Sequence, residues 1–183
     1  MDVVPDEGSE DSRAGQLVER ARLGDPAAQT SLLRSLQDRW FRFACTMLHD
    51  QELARDAAQE TAVRVLGRMA TFDGRSRFST WSIGITLNVC REMRRKRTGM
   101  RLASAPEPAA ETPDEVERAE SVERLRVAMA GLTERQREAV VLRFFEDRSV
   151  EETAELMECA PGTVKATVHQ AMALMKAHFG VEK

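Results

Sequence analysis

Asn88, Arg91 and Arg95 recur at steps of three and four in a stretch that reads as helix, which puts one amide and two guanidiniums on a single face. An amide can pair with a base edge while cations neutralise phosphates, so this spacing points to nucleic-acid recognition rather than to bond making. A mid-helix Asn carries a propensity cost with no evident packing gain, which favours a role for Asn88. The run Arg94-Arg95-Lys96-Arg97 extends the cationic surface. Trp81 offers a ring on which a base could stack, although Ile85 four residues on would suit a core position equally well. Clustered His and carboxylates, a nucleophile beside a base and a Gly-rich phosphate loop are all missing from the sequence, so no catalytic residues, cofactor or small-molecule substrate are expected. Cys45, Cys90 and Cys159 lie far apart without metal-ligand or disulfide spacing and are expected to be inert thiols, with no metal site.

A formal net charge of −3 conceals a strong asymmetry. Residues 1–12 contain five acidic and no basic side chains, whereas residues 13–100 hold sixteen Lys and Arg against nine Asp and Glu. The segments 101–131 and 132–183 are again net acidic. A basic unit flanked by acidic segments is suited to a polyanionic partner. The opening Met1–Ser12 lacks the blocks of a signal peptide, and no apolar run approaches the roughly 20 residues of a membrane span. A cytoplasmic protein without membrane insertion is expected.

The elements that would carry these residues are helical. Strand formers are sparse and Tyr is missing, while Ala, Leu, Arg, Glu and Met recur. Leu33, Leu36, Trp40, Phe43 and Met47 mark one face of a long helix whose first turn fits Asp25-Pro26. A second helix is expected over 51–69, with Ala54, Ala58, Thr61 and Val65 inward, and a third from Ser79 onward, carrying Ile85, Val89 and Met93. Residues 98–113 are rich in Ala, Pro and Glu and read as a linker. Beyond it, Thr112-Pro113-Asp114-Glu115, Thr133-Glu134-Arg135-Gln136 and Ser149-Val150-Glu151-Glu152 each read as a capped helix start. The expected fold class is all-α, with two small helical domains: an acidic disordered tail at 1–12, a first domain at 13–97, the linker, and a second domain at 114–183.

A short helix over 149–157, the tight connection Glu158-Cys159-Ala160 and a last helix from Pro161-Gly162-Thr163-Val164 match a helix-turn-helix, although a plain helical hairpin would look similar. The wording Leu132-Thr133-Glu134-Arg135-Gln136-Arg137-Glu138-Ala139-Val140-Val141-Leu142-Arg143-Phe144-Phe145, followed by Ser149-Val150-Glu151-Glu152-Thr153-Ala154 and Gly162-Thr163-Val164-Lys165, resembles region 4 of bacterial RNA polymerase sigma factors. Upstream, Leu53 through Glu60, then Phe72-Asp73-Gly74-Arg75-Ser76-Arg77-Phe78-Ser79-Thr80-Trp81, then Asn88 and the basic run, resemble region 2 of the same family in the same order. The pair with an intervening linker is similar to the two-domain, extracytoplasmic-function (ECF) group.

That resemblance implies a dissociable subunit that binds core RNA polymerase and directs promoter recognition and opening. Asp56, Gln59 and Glu60 would grip the polymerase clamp, although a solvated helix face would look the same. Ser79, Thr80 and Trp81 would stand where the family captures a flipped base, and Asn88, Arg91, Arg94, Arg95, Lys96 and Arg97 would engage the minus-10 DNA. Pro161, Gly162, Thr163, Lys165, Ala166, Thr167, His169 and Gln170 would face the minus-35 element, with the second domain also docked on the polymerase flap. The linker would thread toward the RNA exit path as a nucleic-acid mimic, and an anti-sigma factor is a further partner class.

Several positions depart from the family pattern. Leu87 stands where an Arg is usual, Arg91 where an apolar residue is usual, and Thr167 and Gln170 where the recognition helix usually carries arginines. Gly84 falls inside the third helix, at about 1 kcal/mol relative to Ala. Two other functions remain open on sequence: a helix-turn-helix regulator acting without polymerase, and a degenerate sigma-like protein that binds polymerase or an anti-sigma factor but cannot initiate.

Overall fold

A computed structural model describes residues 7–97 and 113–180, with side chains over 15–96 and 120–180. Eight α-helices appear among them: α1 (Glu7–Arg22), α2 (Pro26–Leu48), α3 (Gln51–Arg68), α4 (Phe78–Arg97), α5 (Pro113–Ala130), α6 (Glu134–Val140), α7 (Val150–Leu156) and α8 (Pro161–His178). No strand occurs among the described residues, as the composition implies. None of these helices is long and apolar enough to cross a membrane.

Local chemistry accounts for most of the boundaries. Asp25 caps α2 by accepting from the amides of Ala27 and Ala28, with Pro26 at the first helical position where its missing N–H costs nothing. Asp50 caps α3 through the Leu53 amide. Thr133 and Ser149 each form the full reciprocal capping box, with Gln136 and Glu152 returning the hydrogen bond. Pro113 opens α5, so only the last linker position falls on described residues; 98–112 lie outside them.

One feature differs from the sequence reading and another adds to it. The helix α1 begins at Glu7, so residues 7–12 are helical rather than part of a disordered tail; residues 1–6 lie outside the description. A carboxylate-rich opening suits the positive end of a helix dipole. Second, α6 does not run on regularly but closes in a π-helical turn, Val141–Phe145, in which the Glu146 amide reaches back to the Val141 carbonyl.

In the first domain α2 packs on α1, α3 and α4. Trp40, Phe43, Ala44 and Met47 of α2 are buried, and the Trp40 ring N–H donates to Ser82 Oγ at 3.1 Å, so the indole meets no polar penalty. A ring of that size removes on the order of 200 Å² from water, or about 5 kcal/mol as an upper figure. In α3 the buried residues are Ala54, Ala57, Thr61 and Val65; Ala58, expected inward, is only partly buried, one residue out of phase with Ala57. Small residues let α2 and α4 approach it closely. Cys90 is buried and its thiol pushed up to about 12 by desolvation, and desolvation also raises Cys45, in keeping with inert thiols. In the second domain α5, α6 and α7 all pack on α8 around Met129, Leu132, Leu142, Met157 and Val164.

His49 ends α2 in the left-handed conformation (φ 53°), with its amide bonded to the Cys45 carbonyl at 2.9 Å. Burial, and then the positive charges of Arg137, Arg126 and Arg94, hold its imidazole neutral, with a pKa lowered from 6.5 to about 4. The unfolded chain therefore binds the extra proton first as pH falls. The contribution of His49 should be complete above pH 6.5 and decline between 6.5 and about 4, by about 1–2 kcal/mol once partial exposure is allowed for. His49→Asn, a residue that tolerates this backbone conformation, should flatten that acid arm in denaturant melts across pH 4–7. An unchanged pH profile would show that other groups carry it.

Candidate nucleic-acid interface

The α4 face is assembled as its spacing implies. Asn88 and Arg95 are exposed, Lys96 is exposed one position on, and Arg91 Nη1 donates to Asn88 Oδ1 at 3.3 Å, so amide and guanidinium are adjacent. The side chain of Arg97 lies outside the description. At the start of the helix Trp81 forms a three-ring cluster with Phe72 and Phe78, at centroid distances of 5.4 and 5.2 Å. It is partly buried and packs against the core with one face, leaving the rest of the ring accessible. Ser79 is partly exposed beside it, and Thr80 is 4% exposed.

On α3, Asp56 and Gln59 are exposed and Glu60 partly so, one turn apart on one side. Val63 continues the same stripe with 65% of its surface in water, and Leu66 follows. The sequence reading missed these two because an apolar residue in an amphipathic helix looks like core until its phase is fixed by neighbours. Behind the stripe Arg64 donates to Glu60 at 2.7 Å and fork-like to Glu92 of α4 at 2.8 and 2.7 Å. The hydrogen bonds to Glu92 and then Glu60 raise the Arg64 pKa, and Arg64 in return lowers that of Glu92. Arg64 thus ties the exposed stripe of α3 to α4.

The helix-turn-helix is closed by α7, a turn and α8. Glu158 takes the left-handed conformation (φ 53°) and the Cys159 amide returns to the Ala154 carbonyl at 2.9 Å. Arg135 donates to the Met157 carbonyl at 2.8 Å, pinning the end of α7 to α6. Pro161, Gly162, Thr163, Lys165, Ala166, His169 and Gln170 form a contiguous exposed surface on the first half of α8, with Thr167 partly covered and Val164 buried beneath. Lys165 is the cation within this surface.

No reading of single segments anticipated where the two domains meet. The Arg91 guanidinium donates from Nε and Nη2 to both oxygens of Glu138, at 2.9 and 2.8 Å, and that carboxylate is buried. Arg94 faces Glu134 at 3.1 Å. Thr80 is covered by Arg148, which donates to its hydroxyl, and by Glu152 at 3.4 Å. Arg39 of α2 binds the buried Glu146 at 2.6 Å; desolvation raises this carboxyl's pKa and Arg39 opposes the rise. A Cβ on Gly84 would stand 2.8 Å from Leu156 Cδ2. Of the residues expected to meet minus-10 DNA, Thr80, Arg91 and Arg94 are therefore held by the second domain, whereas Asn88, Arg95 and Lys96 face solvent. The one clue in the sequence was Gly84, a helix-weakening residue without a local reason.

No group of three or more His, Cys, Asp and Glu suited to a metal occurs among the described residues. The comparisons agree with the two-part layout. The sigma-70 region 2 family model matches residues 32–99, and the sigma-70 region 4 model matches residues 122–175. The ECF RNA polymerase sigma factor EcfG of Rhodopseudomonas palustris is 31% identical over 76% of this chain and 78% of its own length. The RNA polymerase sigma-E factor of Streptomyces antibioticus is 30% identical over 79% of this chain and 81% of its own. Among solved structures, the sigma factor RpoE of Bartonella quintana, in complex with the anti-sigma factor NepR, has the same fold, with a TM-score of 0.71 at 21% identity, covering 84% of this chain and 98% of that one. So has CnrH in complex with the cytosolic domain of CnrY, with a TM-score of 0.70 at 21% identity, covering 91% and 97%. With both regions in order on one chain and relatives alike along most of their length, this chain belongs to the sigma-70 family of RNA polymerase sigma factors, in the extracytoplasmic-function group.

Proposed function

We propose a division of labour among particular side chains of this sigma factor. The α3 stripe Asp56, Gln59, Glu60 and Val63 meets the core clamp. The α4 face, with Asn88 at its centre and Arg91, Arg94, Arg95, Lys96 and Arg97 around it, takes the opened minus-10 strand. Ser79, Thr80 and Trp81 border the site of a flipped base. The exposed first half of α8, with Lys165 as its cation, enters the minus-35 groove. The chain supplies no bond-making group; RNA synthesis stays with the polymerase in the cytoplasm. An anti-sigma protein is a further partner, as in the two complexes that share its fold. The observation that carries this reading is the exposure of Asn88 beside Arg91, an amide that nothing in the core requires.

The test is transcription in vitro with purified core on a promoter library, with Asn88→Ala beside the parent chain. A lost amide–base contact is worth about 1 to 3 kcal/mol, so open-complex formation should fall roughly 5- to 150-fold while core affinity holds. Normal melting by Asn88→Ala would return that residue to a structural role. Core binding without any transcription would identify a degenerate sigma-like protein, and no core binding a regulator independent of polymerase.

The α3 stripe has its own test. Reversing Asp56 and Glu60 to Lys with Gln59→Ala should weaken core binding at least about tenfold, or ~1.4 kcal/mol. The melting curve should barely move, since exposed pairs such as Glu60 with Arg64 contribute roughly 0.3–0.5 kcal/mol. Unchanged affinity would remove the stripe from the interface.

A further inference from the structure

We propose that the cavity between the two domains is a binding site for a guanine nucleotide, with Glu158 and Asn88 reading the base and Arg68 holding the phosphates. The inference goes beyond the assignment of α4 to minus-10 DNA and does not depend on it. The cavity measures about 550 Å³ and is walled by α3 and α4 on one side and by α6 with the α7–α8 turn on the other. That volume falls within the roughly 300–1,000 Å³ of small-molecule sites. Most such sites are apolar, whereas here Ile85 is the one apolar residue among those that line the cavity, and the rest are Arg, Glu and Asn. The fitting occupant is therefore ionic.

Most of the charges around the cavity are satisfied by partners in the chain. Arg64 is bound to Glu92, and Arg91 to both oxygens of Glu138. Glu134 faces Arg94 at 3.1 Å, and Arg135 donates to the Met157 carbonyl at 2.8 Å. Arg68 and Glu158 are different. Both are exposed, and neither side chain forms an ion pair or hydrogen bond with another described residue. Asn88 is half committed: its Oδ1 accepts from Arg91 at 3.3 Å, which leaves the two N–H donors of the amide for an acceptor in the cavity. Glu158 also stands at φ 53°, a left-handed position that Gly or Asn would take with less strain. A carboxylate kept at such a position points to a use for it beyond the turn.

The three open groups describe one ligand. A carboxylate can accept from two parallel N–H groups at once, and among the common bases guanine presents that pair, N1–H beside the N2 amine, with O6 as the adjoining acceptor. Asn88 supplies the donors that O6 takes, and Arg68, with Arg95 also lining the cavity, the cations for phosphate. Adenine has a single amine on the same edge and satisfies only half of Glu158. A nucleotide held from both walls binds while the domains are together, and so stabilises that arrangement by its own binding.

The test is calorimetric titration of the full-length free chain with GDP, ADP and guanosine. The parent chain should bind GDP saturably and at least about fivefold more tightly than ADP, the lower end of what one bidentate base contact discriminates. Glu158→Gln, whose amide can accept from only one of the two donors, should bring GDP down to the level of ADP. Arg68→Ala should close the gap between GDP and guanosine and leave guanosine itself unchanged. Both side chains are exposed, so neither melting curve should move by more than a small amount. No binding of GDP by the parent chain, or binding of GDP and ADP alike, overturns the proposal without any variant. Parental affinity for GDP in Glu158→Gln or in Arg68→Ala also overturns it, since the nucleotide then sits elsewhere on the chain.

Discussion

Holoenzyme carrying Gln in place of Arg94, Arg95, Lys96 and Arg97 should lose DNA engagement by about two to three orders of magnitude at physiological salt, with its salt slope flatter by about 3 to 4. The figure follows from the electrostatics of counterion release, in which each phosphate contact adds about 0.9 to the slope on duplex DNA and about 0.7 on a single strand. The cations close α4, the end of the helix where positive charge is also favoured by the dipole, so a purely structural role must be weighed. That role is worth about 0.3–1 kcal/mol per cation and would appear in a melting curve, whereas the DNA role appears in affinity and its dependence on salt. Salt titration of promoter binding by the reconstituted holoenzyme separates them. A parental slope with a lowered melting temperature would assign the run to the helix end. The second domain cannot make up the loss, since Thr167 and Gln170 stand where cations are usual and Lys165 alone supplies positive charge to the exposed half of α8.

Arg137→Ala should cost the second domain about 3 to 4 kcal/mol, the largest stability effect expected of a single polar substitution here. Arg137 is 8% exposed, and its guanidinium donates to the carbonyls of Met129 at 3.1 Å, Leu132 at 3.0 Å, and Ala130 and Met47 at 3.4 Å. Three of these lie at the end of α5 and just past it, where carbonyls have no intrahelical donor, although that of Met129 also accepts from the Leu132 amide at 3.2 Å. Each acceptor left buried without a partner costs about 1–3 kcal/mol, and the longer bonds contribute least. Burial lowers the Arg137 pKa, yet a guanidinium stays charged throughout any practical range. For a domain of this size the loss corresponds to a fall in melting temperature of roughly 15–25 °C. Arg137→Lys keeps the charge but has no fork to span several carbonyls, so it should recover less than half. Thermal melts of the three proteins check this, and a loss under about 1 kcal/mol for Arg137→Ala would mean that the carbonyls find water instead.

What could be read from the sequence was what neighbouring residues settle among themselves. Asp25 before Pro26, Thr133 with Gln136 and Ser149 with Glu152 place helix starts through hydrogen bonds spanning two or three residues, and all three are found where that chemistry puts them. The amide and cations of α4 share a face because 3.6 residues make a turn, whatever lies opposite. At residues 7–12 the expectation of a tail gave way to α1, whose carboxylates suit a helix start. The rest was decided by residues far apart along the chain. Arg91 and Glu138 are 47 residues apart, Thr80 and Arg148 68, Arg39 and Glu146 107, and no local rule matches a cation to one carboxylate among many. Gly84 acquires a reason only when Leu156 is beside it, and Arg137 only when the carbonyls ending α5 converge on it. Spacing determines which side chains this chain presents together. Which of them face water, and which are held by the other domain, depends on burial and on the pairing that burial enforces, because a charge taken out of solvent must find its opposite wherever the fold brings one.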